Sequence, residues 1–160
     1  MLAEKTVHAS MNAVDRIAEY ARRDGFEFFA TADHGHITTD KAGMVSVKKN
    51  HPIFSRVRMW GSPRMRFAES ANGEEVEDLL TSEFGRVSAI IKSDEAIASG
   101  MFGEGEGNGT ARMNFGSYIL IPNKKGGIYI EGEGLPPHPS EHGGFETAEI
   151  KVPFISCRRA

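Results

Sequence analysis

The chain has 160 residues, a formal net charge of −3 and a sequence pI of about 6.1. That length fits one domain with an ordinary core, and the slightly acidic balance with scattered Lys and Arg excludes the basic footprint of a nucleic-acid binder. Cys157 is the only cysteine, which excludes an internal disulfide and a cysteine metal cluster; no apolar run is long enough to serve as a signal core or to cross a bilayer, so a cytoplasmic protein without a membrane partner is expected.

Ser10 is a candidate N-cap for a helix running to Arg23, with Met11, Val14, Ile17, Ala18 and Ala21 on one face. Gly25 stops it. Phe26–Ala32 is a compact apolar run that reads as a buried strand, so the chain opens as a helix–strand unit of an α/β layer fold. Asp33 and His34 then fall just past the strand's carboxyl end, where open α/β sheets place their ligand chemistry. After a polar loop, Met44–Val47 reads as a short strand. Residues 63–100 have a texture of their own. Pro63–Glu69 alternates polar and apolar residues, Asn72-Gly73 turns the chain into a helix with Val76, Leu79 and Leu80, and Val87–Ile91 is the next strand. Ser93-Asp94-Glu95 caps a short helix that Gly100 ends, and the whole segment is expected to form a small α+β insertion on a larger sheet.

Gly103–Gly109 is rich in glycine and glutamate. It lacks the Lys-Ser/Thr of a phosphate-binding loop, its carboxylates repel phosphate, and it lacks the ligand spacing of a calcium loop, so it reads as a linker. Tyr118–Ile121 and Gly127–Ile130 read as two strands around an Asn123–Gly126 turn. A loop over 132–144 delivers His142, and Glu149–Ile155 reads as a closing strand that Pro153 places at an edge or delays.

A carboxylate beside an imidazole, Asp33-His34, is half of a divalent-metal site. His142 is followed by Gly143 and Gly144, which let a further ligand approach without obstruction. The bland alternative is that Asp33 caps a turn and His34 is a satisfied loop residue. His36 could orient a ligand or a substrate, or simply face solvent. His51 and His138, each beside a proline, read as ordinary loop residues. Arg64, Arg66 and Arg112 could meet a phosphate bidentately, yet on an alternating strand Arg64 and Arg66 read rather as one exposed face. There is no Gly-x-Ser-x-Gly element, which leaves serine-triad hydrolysis without support.

Several runs together resemble the alkaline phosphatase superfamily, specifically its type I phosphodiesterase/nucleotide pyrophosphatase branch. They are Phe29-Ala-Thr-Ala-Asp-His-Gly-His36, Gly61–Phe67, Lys92–Gly103, Tyr118–Pro122 and Glu141-His-Gly-Gly-Phe-Glu-Thr-Ala-Glu-Ile-Lys-Val-Pro153, in the family's order. The resemblance implies an alkaline-phosphatase-like layered α/β sheet, partial in this chain, with residues 1–160 as one domain and 63–100 inserted. It implies a two-metal site, zinc or alternatively manganese, with Asp33 and His34 on one ion and His142 on the other; Glu4, His8 and His36 are further candidates. Two such ions about 4 Å apart clamp the attacking and leaving oxygens of a phosphoryl transfer. The family's Thr or Ser nucleophile has no counterpart here, so no catalytic residue is assigned and the chain resembles a carboxyl-terminal half. The implied activity is metal-dependent hydrolysis of a small phosphate ester or nucleotide, completed by an amino-terminal half or accompanied by self-association. Two alternatives stand beside it. One is a non-catalytic pseudoenzyme or interaction module. The other is a metal phosphoesterase of the polymerase-and-histidinol-phosphatase type, for which His8 and Phe29–Gly35 fit; Thr6 and Ser10 stand where that family has a His-x-His pair, and it gives no account of Glu141–Gly144.

Overall fold

The computed structural model describes residues 2–105, 109–133 and 139–158, without the side chains of residues 2, 3, 111 and 112. In chain order the first elements are α1 (Leu2–Arg23), β1 (Phe28–Thr31), β2 (Ile37–Thr38), β3 (Met44–Val47), β4 (Val57–Ser62), β5 (Met65–Ser70), α2 (Glu77–Phe84) and β6 (Ser88–Lys92). They are followed by α3 (Ser93–Ala98), α4 (Gly109–Phe115), β7 (Tyr118–Pro122), β8 (Gly127–Ile130), β9 (Ser140–Glu141), α5 (Thr147–Ile150) and β10 (Phe154–Cys157). These elements divide into two units, Met1–Gly35 with Lys151–Ala160, and His36–Ile150. Among the described residues no helix is long and apolar enough to cross a membrane.

The first unit is α1 with the antiparallel pair β1–β10, Thr31 lying opposite Phe154. The helix starts well before Ser10, which sits in its interior. Residues 2–9 are mostly good helix formers with Glu4 in the first turn, so nothing interrupts propagation upstream. Its end is as expected: Gly25 is left-handed (φ 77°), and the Phe26 N–H donates to the Ala21 carbonyl at 2.8 Å. The strand is shorter than the apolar run and is not buried throughout. Phe28, Ala30, Ile155 and Cys157 form a half-buried face, while Phe29, Thr31, Phe154 and Ser156 alternate with them on an exposed one. There the Phe29 and Phe154 rings stack at 5.9 Å, 55% and 71% exposed.

The second unit is built on a four-stranded antiparallel sheet in the order β4-β5-β7-β6. Tyr118, Ile119 and Leu120 of β7 are buried in succession, as an inner strand covered on both faces requires. Val76, Leu80 and Phe84 at α2 pack with Val57, Ala68, Tyr118, Leu120 and Ile128 into the core. Residues 63–100 supply β5, α2, β6 and α3, and their strands pair with β4 and β7 outside that segment. Ser93 opens α3, but its hydroxyl donates to the Phe115 carbonyl instead of capping the helix.

Two expectations fail here for long-range reasons. β7 and β8 do not form a hairpin. The Asn123–Gly126 connection, with Lys124 at φ 51°, directs β8 away from β7 to pair in parallel with β3. Glu149–Ile155 is not one strand: residues 147–150 form a helical turn, because Glu149 is drawn into a buried ion pair, and the strand starts only after Pro153. Of the linker expected over 103–109, residues 106–108 lie outside the described residues, and Gly109 begins α4.

Candidate metal centre

His36 and His142 meet because of strand register. β2 and β9 pair antiparallel with Ile37 opposite Glu141 and Thr38 opposite Ser140, and the Thr39 N–H continues the ladder to the Pro139 carbonyl at 3.0 Å. One step the other way along the same register sets His36 opposite His142. Ile37 and Glu141 are buried, and Tyr129 of β8 donates its hydroxyl proton to the Glu141 carboxylate. With alternation, the flanking residues 36 and 142 point to the other side. Their rings lie 5.0 Å apart, edge to face. His36 is exposed and His142 half-buried, so the pair can be reached by solvent.

The loop that follows His142 is held from beneath. Arg64 occupies the tight turn between β4 and β5, yet its side chain is 2% exposed, and its partner Glu149 is 1% exposed. The guanidinium donates Nε to Oε1 of Glu149 at 3.0 Å and Nη2 to Oε2 at 2.8 Å, a bidentate fork. Its Nη1 donates to the carbonyls of Lys124 (2.8 Å) and Gly126 (2.5 Å). The same carboxylate accepts the N–H of Gly144 at 2.9 Å and of Glu146 at 3.2 Å. Burial pushes the Glu149 carboxyl up. The Arg64 hydrogen bonds and charge, with the two backbone donors, outweigh that and hold it below the usual 4.5. Glycine is required at 144, where a Cβ would stand 2.8 Å from Arg64 Nη2 and 2.9 Å from Glu149 Oε2. Gly143 is left-handed at φ 104°.

In the first unit, Asp33 and His34 contact one another. The Asp33 carboxylate accepts the His34 backbone N–H at 3.0 Å, and its other oxygen is 3.5 Å from His34 Nε2. His34 Nδ1 is 3.0 Å from the Gly35 carbonyl; a carbonyl only accepts, so Nδ1 is the donor in that contact.

No family model matches the sequence, and no curated protein does. Among solved structures, two of phosphonoacetate hydrolase from Sinorhizobium meliloti 1021 match it. One is in complex with phosphonoformate (TM-score 0.56) and one with phosphonoacetate (TM-score 0.55), each at 14% identity over 84% of this chain and 36% of that one. The chain carries part of an alkaline-phosphatase-like α/β fold. It spans 36% of the length of the structures it matches, and at that identity the likeness is one of fold.

Within this part of an alkaline-phosphatase-like fold, the expected residues fare differently. His142 gains a neighbouring imidazole, and it is His36, one of the further candidates, that supplies it. Asp33 is paired locally with His34 and is 87% exposed. Glu4 and His8 lie on exposed positions of α1, and among the described residues neither belongs to a group of three metal donors. Arg64 and Arg66 are not an exposed face. Both are buried, Arg66 bonding the carbonyls of Ile128 (2.9 Å) and Gly61 (3.0 Å) and the Glu133 carboxylate (2.8 Å). A guanidinium can be buried when all its donors are satisfied, which strand alternation alone does not reveal. His51 is a loop residue that caps a short helical turn, as expected; His138 and the Arg112 side chain lie outside the described residues.

Proposed function

We propose that this chain is the metal-binding portion of a metal-dependent hydrolase of phosphate esters, with His34, His36 and His142 each offering one ring nitrogen to a divalent ion. The observation that carries the reading is the cross-strand pair of His36 and His142. His34 stands two positions before His36, so its backbone lies within about 7 Å of that residue by chain length alone. Three neutral imidazoles suit zinc, with manganese the alternative. Asp33, whose carboxylate stands 3.5 Å from His34 Nε2, joins as an oxygen donor. Once bound, such an ion polarises a phosphoryl oxygen or lowers the pKa of a bound water.

The substrate class is a small phosphate ester or nucleotide. Support comes from the fold, shared in part with a hydrolase solved in complex with phosphonoacetate, and from a donor set open to solvent. The exposed Phe29–Phe154 face of the first unit supports completion of the sheet layer by another polypeptide segment, a complementing amino-terminal half or a second copy.

The test is metal titration of the purified chain, then turnover of nitrophenyl phosphate mono- and diesters with zinc or manganese. Expected are metal binding that His36→Ala and His142→Ala weaken, and turnover that is weak or absent in the chain alone, rises when a complementing amino-terminal half is added, and is lost in His34→Ala. Absence of metal binding refutes the reading. Binding without turnover even when a complementing half is supplied is the outcome of a non-catalytic module.

A further inference from the structure

We propose that Arg64 and Glu149 are positioning residues for His142, a buried clamp that presets the loop carrying this ligand; the inference rests on the metal reading above. His142 is held on both sides. Upstream, the ladder between β2 and β9 ends at Glu141. Downstream, the Gly144 N–H, two residues along, is bound by Glu149 at 2.9 Å, and the Glu146 N–H by its other oxygen.

Each oxygen of Glu149 therefore receives one backbone donor from the loop and one guanidinium donor from Arg64. With no further acceptor role to fill, the carboxylate has one stable placement. Arg64 transmits that placement to the sheet, since it sits in the β4–β5 turn and also grips the carbonyls of Lys124 and Gly126. A loop tied at Gly144, Glu146 and Glu149 to such an anchor leaves His142 little freedom, and supporting bonds of this kind tune metal affinity by about 10–100-fold.

The test uses cobalt(II), whose visible bands report ligand geometry, on the full chain and two variants. Glu149→Gln keeps the side-chain volume but replaces one acceptor oxygen with a donor. Arg64→Lys keeps the charge but loses the planar fork. Both are expected to bind cobalt at least about tenfold more weakly, with altered bands and unchanged far-ultraviolet dichroism. Arg66→Lys is the control, equally buried but bonded to Gly61, Ile128 and Glu133 and with no bond to the Gly144–Glu149 segment that the clamp holds; its cobalt affinity is expected to stay within about twofold of the parent. A folded Glu149→Gln with parental affinity and bands overturns the proposal. Should that variant not fold, amide exchange on the unmodified chain decides. The Gly144 and Glu146 amides are expected to be protected like those of β7, and exchange at the rate of open loop amides overturns the clamp. Failure of the unmodified chain to bind cobalt refutes the metal reading and leaves the clamp to the exchange experiment.

Discussion

Replacing Arg64 with methionine isolates the energetic weight of the buried pair. The substitution keeps much of the apolar stem but removes two of the four donors to the Glu149 carboxylate and the Nη1 donor to two carbonyls. A carboxylate only 1% exposed cannot recover those bonds from water. Removing one member of such a pair costs about 3–5 kcal/mol. The Arg56–Glu74 pair also closes to 3.0 Å, with both guanidinium donors on one oxygen, but its side chains are 47% and 55% exposed, and pairs like it are worth about 0–1 kcal/mol. With a urea slope of about 2 kcal/mol per molar, Arg64→Met should lower the unfolding midpoint by about 1.5–2.5 M, and Arg56→Met by less than about 0.5 M. The double variant Arg64→Met/Glu149→Leu should be less destabilised than the two single losses combined, because no lone buried charge remains. Urea unfolding followed by dichroism measures all four. If Arg64→Met costs no more than Arg56→Met, burial is not amplifying this pair and the reasoning is wrong.

Acid should act on the same group. Its folded value lies below the usual 4.5, so the stability from ionised Glu149 is fully present above that pH and is lost as pH falls through the lower folded value; Glu149→Gln should lack this acid limb in a pH series of unfolding midpoints. Leu80 is fully buried between α2 and the sheet, so Leu80→Ala should cost about 2–5 kcal/mol, read as a lowered melting temperature. Phe29→Ser with Phe154→Ser should change stability by less than about 1 kcal/mol while reducing self-association in sedimentation, since both rings are exposed. His142→Ala should weaken cobalt binding at least tenfold, about 1.4 kcal/mol, in direct titration.

Much of the element content was legible because it is written locally. Met44–Val47 and Gly127–Ile130 carry Val45, Val47, Ile128, Tyr129 and Ile130 between turn residues, and both are strands with those bounds. Gly25 and Pro153 mark ends through their own backbone preferences. Pairing was not legible. The chain segment Asn123–Gly126 has the composition of a hairpin turn, and only the competing partner, β3, eighty residues upstream in round numbers, decides that β8 leaves β7. Ser10 has the chemistry of a cap, but residues 2–9 favour helix strongly enough to carry the element past it.

The site shows the same division between residue type and placement. His142 followed by two glycines announced a close approach, and the structure explains the second glycine by the guanidinium and carboxylate that pack against it. The sequence offers His36 only as a further candidate, because its placement opposite His142 depends on a two-residue strand too short for any period to be read. Such a ladder is weak by itself. Its persistence here follows from what lies on either side: Tyr129 binds Glu141 at the end of β9, and Arg64 with Glu149 binds the chain beyond His142. Both supports use buried carboxylates that become costly if their partners are displaced. The imidazole pair thus sits at the surface on a short, intrinsically marginal ladder, while the groups that fix it are buried and charged, a combination that lets a donor set stay open to solvent without losing its geometry.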